Sequence, residues 1–111
     1  MARQARIYAE AKDLIYPNDP ELYPLIPING KLYPVDNRIS TFNQLKNIQQ
    51  EDYRKIIEVT MGKEAFKEID ALDLSVAAYK NLIILIMAAI NDMSFEEAKK
   101  QMNEAENARF R

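Results

Sequence analysis

Two pairs of carboxylates lie close enough in sequence to suggest acid–base chemistry: Asp70 with Asp73, and Glu96 with Glu97. Such a pair works as general acid and general base only when a cleft shields it and drives the two pKa values apart. These acids instead fall where helices begin or end, positions at which carboxylates cap backbone N–H groups and offset the helix dipole. The chain has no Cys and no His, which removes thiolate nucleophiles, imidazole bases, disulfides and the commonest zinc ligands together. Its three serines, Ser40, Ser75 and Ser94, each stand where a helix should start and are assigned to capping. Asn18-Asp19 and Asp36-Asn37 lack the alternating oxygen ligands and closing Glu of a calcium loop, so they read as turn residues. Gly30 and Gly62, the only glycines, open neither a phosphate loop nor a dinucleotide motif. No catalytic, cofactor-binding or metal site is expected, and the chain reads as a non-enzyme.

The elements that would position any site belong to one small domain of 111 residues, 48% hydrophobic and 29% charged, an ordinary globular composition. With a net charge of −2 and no stretch that gathers Lys and Arg on one face, counterion release has little to act on, and no nucleic-acid partner is expected. Two short helices around Gly62 mimic a helix-turn-helix. The segment that would enter the groove sets Glu64, Glu68 and Asp70 against Lys63 and Lys67, which argues against DNA reading. The uninterrupted apolar run Leu82 to Ile90 is nine residues, against the roughly 20 that a membrane span needs, so no membrane partner is expected. The opening MARQARIYAEAK carries charges with no apolar core after them, unlike a secretory signal. A cytoplasmic protein is expected.

All five prolines fall between Tyr16 and Pro34, three of them after a tyrosine: Tyr16-Pro17, Tyr23-Pro24 and Tyr33-Pro34. Proline fixes φ and extends the residue before it. Residues 1–27 are therefore read as a short helix over Ala2 to Ile15 followed by a Tyr/Pro-rich arm. The arm is either a docking segment that lays tyrosines on a partner or a strap over the chain's own core. Residues 28–111 are read as the helical core domain. It opens with a hairpin over 28–35, in which Asn29-Gly30 supplies the positive φ values of a type I′ turn. Pro27 and Pro34 confine that hairpin to an edge or an isolated ribbon.

From Ser40 the pattern is helical. A segment capped by Ser40 or Thr41 runs to Ile48 with Phe42, Leu45 and Ile48 inward. The next follows Glu51-Asp52, faces Tyr53, Ile56, Ile57, Thr60 and Met61 inward, and stops at Gly62. A third, from Lys63 to Leu72, has Phe66 and Ile69 inward. Ser75 caps a helix over 76–91 that is apolar on nearly all sides; from Val76 to Ile90 only Lys80 and Asn81 are polar. Val76, Tyr79, Ile83, Ile86 and Ile90 form its main stripe, widened by Leu82, Leu85 and Ala89, with Ile84 and Met87 on the reverse side. That reverse side meets either this chain or another. Ser94-Phe95-Glu96-Glu97 is a capping box that starts a last helix, 95 to about 108. The fold class expected is mainly α, a small helical bundle with a short N-terminal β-hairpin. The residues proposed for a protein interface are Ile83, Ile84, Ile86, Met87, Ile90, Phe95 and Met102.

Two runs of residues carry a family resemblance. One is Ile28-Asn29-Gly30-Lys31 with Tyr33 and Asp36. The other is Leu74-Ser75, Tyr79-Lys80, Ile86, Ala88-Ala89 and Ser94-Phe95-Glu96-Glu97-Ala98; Met61-Gly62 and Phe66 lie between them. Over roughly residues 28 to 108 this order resembles the tail assembly chaperones of long-tailed bacteriophages and related prophages. The resemblance implies a helical, self-associating non-enzyme of the host bacterial cytoplasm that coats the phage tape measure protein before the tail tube polymerises. It also implies, in many such phages, a longer frameshifted form. A structural virion component, such as a head–tail connector or tail-completion protein, is the alternative.

Overall fold

The computed structural model describes residues 19–49 and 51–109, with side chains as far as Glu104. The helix expected over Ala2 to Ile15, and the Tyr16-Pro17 pair, lie outside the described residues. The fold is mainly helical. Asp19 accepts a bond from the backbone N–H of Glu21 and opens a 3-10 turn, Pro20–Leu22. A two-stranded antiparallel sheet follows, β1 (Leu25–Ile28) and β2 (Lys31–Pro34). Five helices complete the chain: α1 (Ile39–Leu45), α2 (Tyr53–Met61), α3 (Lys63–Asp70), α4 (Val76–Ile90) and α5 (Phe95–Arg109).

The hairpin starts at Leu25 rather than at 28, so the end of the expected arm is strand. Asn29 and Gly30 both have positive φ, 50° and 83°, as a type I′ turn requires. Ile28 pairs with Lys31 across that turn, which makes Pro27↔Leu32 and Leu25↔Pro34 the pairs without mutual hydrogen bonds. Both prolines therefore sit where no ladder bond is lost, and each blanks the outer edge of its strand. One further bond, Val35 N–H to the Pro24 carbonyl at 2.9 Å, extends the ribbon. The inner face puts Ile26 and Tyr33 into the protein, followed by a fully buried Val35. Tyr23 is half-buried, so the two described tyrosines of the Tyr-Pro pairs lie against this chain.

Asp36 joins the ribbon to the helices. Its backbone N–H donates to the Thr60 carbonyl in the last turn of α2 at 2.8 Å. Its carboxylate accepts from the Arg38 backbone N–H (3.0 Å) and guanidinium (2.7–3.1 Å). The Arg38 side-chain bonds hold the carboxyl below the usual range against a smaller opposing effect of burial. Arg38, without a side-chain cap of its own, occupies the N-cap of α1. Ser40 consequently lies inside α1 and does not cap it, and α1 closes at Leu45 rather than Ile48.

The remaining helix starts follow the sequence. Asp52 accepts from Lys55 N–H, Ser75 from Ala78 N–H and Ser94 from Glu97 N–H, at 3.1–3.2 Å. Gly62, at φ 94° and ψ 161°, ends α2 and begins α3 in a single residue, a conformation open essentially to glycine alone. The core is built from Ile26, Val35, Ile56, Ile57, Ile69, Leu82, Ile83 and Ile86, contributed by the hairpin, α2, α3 and α4. Tyr53 of α2 and Tyr79 of α4 stack at its rim with ring centroids 5.8 Å apart.

After α4 the chain turns through 111°. Asp92 takes positive φ and Met93 N–H bonds the Ala88 carbonyl, the six-to-one bond of a Schellman motif with Asp in the place usually held by Gly. That turn lays α5 on α4, where Ile84, Ala88 and Ala98 form a second buried cluster with Met93, Phe95 and Met102 around it. Leu85, expected in the core stripe, is 37% exposed, and Val76 is 68% exposed. Among the described residues no single helix is long and apolar enough to cross a membrane.

Candidate functional site

The carboxylate pairs first considered for chemistry remain at helix ends. Asp70 closes α3, Asp73 lies in the α3–α4 link, and Glu96 and Glu97 fill the first turn of α5, all exposed. Among the described residues no cluster of His, Cys, Asp and Glu could hold a metal ion.

The concave feature that remains runs along α4. Its middle is an open hollow of about 320 Å³ between α1, α2, α4 and α5, lined by Phe42, Leu45 and Ile48, by Ile56, by Ile83 and Met87, and by Met102. Toward the start of α4 a second hollow, about 340 Å³, shares Ile83 and Met102 with the first and adds Ala77, Lys80, Asn81 and Ile84 of α4 with Lys99 and Asn103 of α5. Toward its end a shallower third shares Phe42 and adds Ile39, Ile90 and Asn91. Ala77, Lys80, Ile84, Met87 and Ile90 repeat every three or four residues, so the hollows follow one side of α4. From Ala77 to Ile90 that side spans roughly 20 Å at about 1.5 Å per residue, the length of a three- to four-turn helix.

The residues expected at an interface divide in two. Ile83, Ile84 and Ile86 are buried within this chain: Ile86 in the core, Ile83 as the floor shared by two hollows, Ile84 at 7% exposure beneath α5. Met87, Ile90 and Met102 are half-buried and line the groove, while half-buried Phe95 packs into the α4–α5 cluster. The opposite wall, Phe42, Leu45 and Ile48, read as core because three-residue spacing marks one helical face without saying what meets it. Ile39, 73% exposed at the start of α1, extends that wall.

The charge around the groove also departs from the sequence reading, in which no basic face was expected. Lys46 after α1, Lys80 on α4 and Lys99 on α5 line it, with Glu51 the one acidic side chain in its lining among the described residues. Lys46 lies over the Phe42 ring with Nζ 4.9 Å from its centre. The ion pairs among the described residues, Lys31–Glu68, Arg38–Asp36, Arg54–Glu58 and Lys67–Glu64, involve none of these three lysines. The arrangement offers an apolar floor with adaptable methionines and cationic rims, suited to another protein surface.

No protein-family model, no curated protein and no solved structure matches this chain.

Proposed function

We propose that this chain is a tail assembly chaperone of a long-tailed phage or prophage, a small helical bundle that holds the tape measure protein soluble in the host cytoplasm. The observation that carries the reading is the open apolar groove along α4, because a chaperone for a long helical protein must offer apolar surface of matching length. The resemblance over residues 28 to 108 names the partner. Its motif residues have structural work in this fold: Asn29-Gly30 make the hairpin turn, Asp36 ties hairpin to α2, Gly62 splits α2 from α3, and Ser75 and Ser94 cap α4 and α5.

The test is co-expression with the tape measure protein of the same phage or prophage, followed by mass measurement in solution. A soluble complex with many copies of this chain per partner is expected, and Met87→Glu should weaken it at least tenfold. A partner that stays insoluble while this chain purifies alone would overturn the reading.

A structural virion component is a second reading, favoured by the outer face of the hairpin. Leu25 and Leu32 there are 54% and 58% exposed, the kind of surface a permanent neighbour covers. Finding the chain in purified particles would select it; absence from them is expected of a chaperone.

A further inference from the structure

We infer that the groove along α4 selects a helix whose apolar stripe is flanked by acidic side chains. The inference rests on the groove being a protein-docking surface, as proposed above, and not on which protein docks there.

The shape selects a helix. The groove is walled by α1, α2 and α5 and floored by α4, whose lining residues recur at helical spacing. An extended segment has nowhere to add as a strand, because Pro27 and Pro34 occupy the outer edges of the only sheet among the described residues.

The charge selects acidic flanks. The chain as a whole is acidic, with a net charge of −2, yet its groove is lined by three lysines and one glutamate. The lysines come from three separate elements and all three are exposed. Lys80 is the one charged residue within α4, and it lines the second hollow, on the side of the helix opposite the exposed Leu85. Lys99 faces it from α5 across the second hollow, and Lys46 stands on the α1 side of the first. A helix seated on the Ile83–Met87 floor would therefore place the residues beside its apolar stripe near a cation on either side. Glutamates there would pair with the lysines, and lysines would be repelled. The apolar floor favours a protein helix over a nucleic acid, which needs phosphate contacts and stacking surfaces rather than Ile and Met side chains.

The test uses the whole chain and two fluorophore-labelled synthetic helical peptides with the same leucine stripe, one flanked by Glu and the other by Lys. Binding is followed by anisotropy at low and at high salt. The Glu peptide should bind about tenfold more tightly at low salt, as several partly exposed pairs of modest strength would give. The difference should shrink at high salt. The exposed lysines make Lys46→Glu, Lys80→Glu and Lys99→Glu tolerable together, and that variant should reverse the preference. The salt series on the unmodified chain tests the same point with no variant at all. Equal affinity for the two peptides overturns the inference and leaves the chaperone reading to its co-expression test. Binding of neither peptide overturns it along with the groove as a helix dock. Tighter binding of an oligothymidine than of the Glu peptide also overturns it and reassigns the lysines to phosphates.

Discussion

The hairpin and α4 each carry apolar residues on two opposite sides; α5 covers the reverse side of α4 at Ile84 and Ala88 and leaves Met87 at the groove, while the outer side of the hairpin stays exposed. On α4 the core side buries Leu82, Ile83 and Ile86, and α5 returns over Ile84 and Ala88. On the hairpin the inner side buries Ile26 and Tyr33, while Leu25 and Leu32 face outward with Pro27 and Pro34 between them. An apolar reverse face in sequence thus has two outcomes, set by whether the following segment turns back. After Ile90 the Schellman turn at Asp92 reverses the chain onto the helix; after Pro34 the chain leaves through Val35 and Asp36 on the inner side.

Breaking the core side of α4 should have the largest effect. Ile86→Ala is expected to cost about 2–5 kcal/mol in denaturant unfolding, the range for deleting a fully buried isoleucine side chain. Ile84→Glu tests the closed reverse face. The carboxylate can escape burial by releasing α5, so the loss is capped near the docking energy of that contact, about 2–3 kcal/mol. Amides 95–104 should then exchange at the rate of a free segment. If they stay protected, α5 does not close that face and the comparison fails.

Asp36→Asn loosens what holds the ribbon's inner side to the helices and should cost about 1 kcal/mol at neutral pH, discounted for the half-exposed Arg38 partner. Because the folded carboxyl is held below its unfolded pKa, its stabilisation is complete above the ordinary carboxylate pKa of about 3.9. It diminishes as pH falls below that value and is gone once pH passes the lowered folded pKa. The gap between the two proteins in an acid titration should close over that window. The smallest effect is expected at the open face: Leu25→Ser with Leu32→Ser should change stability by no more than about 0.5 kcal/mol. A loss as large as that of Ile84→Glu would mean that this face, too, is covered.

Much of the fold is legible locally. Asn29-Gly30 specifies the turn, Asp52, Ser75 and Ser94 start three helices through their own side chains, and Gly62 stops one. Ser40 misleads because the cap role passes to Arg38, drawn into place by Asp36 two residues earlier, a bond no helical pattern announces. Leu85 misleads because a helix covered from two directions no longer has a single inward stripe.

The candidate site is less legible. The sequence pattern puts its floor residues Ile83 and Ile90 on the main stripe of the helix and Met87 on the reverse side, Phe42, Leu45 and Ile48 read as ordinary core, and the three lysines lie 34 and 19 residues apart along the chain.

The sequence by itself determined the mainly helical class, the hairpin turn and most helix boundaries, because those depend on backbone conformation and caps within a few residues. The tertiary structure alone decided which apolar faces meet, that Ile84 is covered by this chain, and that Lys46, Lys80 and Lys99 border one groove. Burial and field add over everything near in space, and nearness between α1, α4 and α5 is fixed by turns whose consequences extend far beyond the residues that make them.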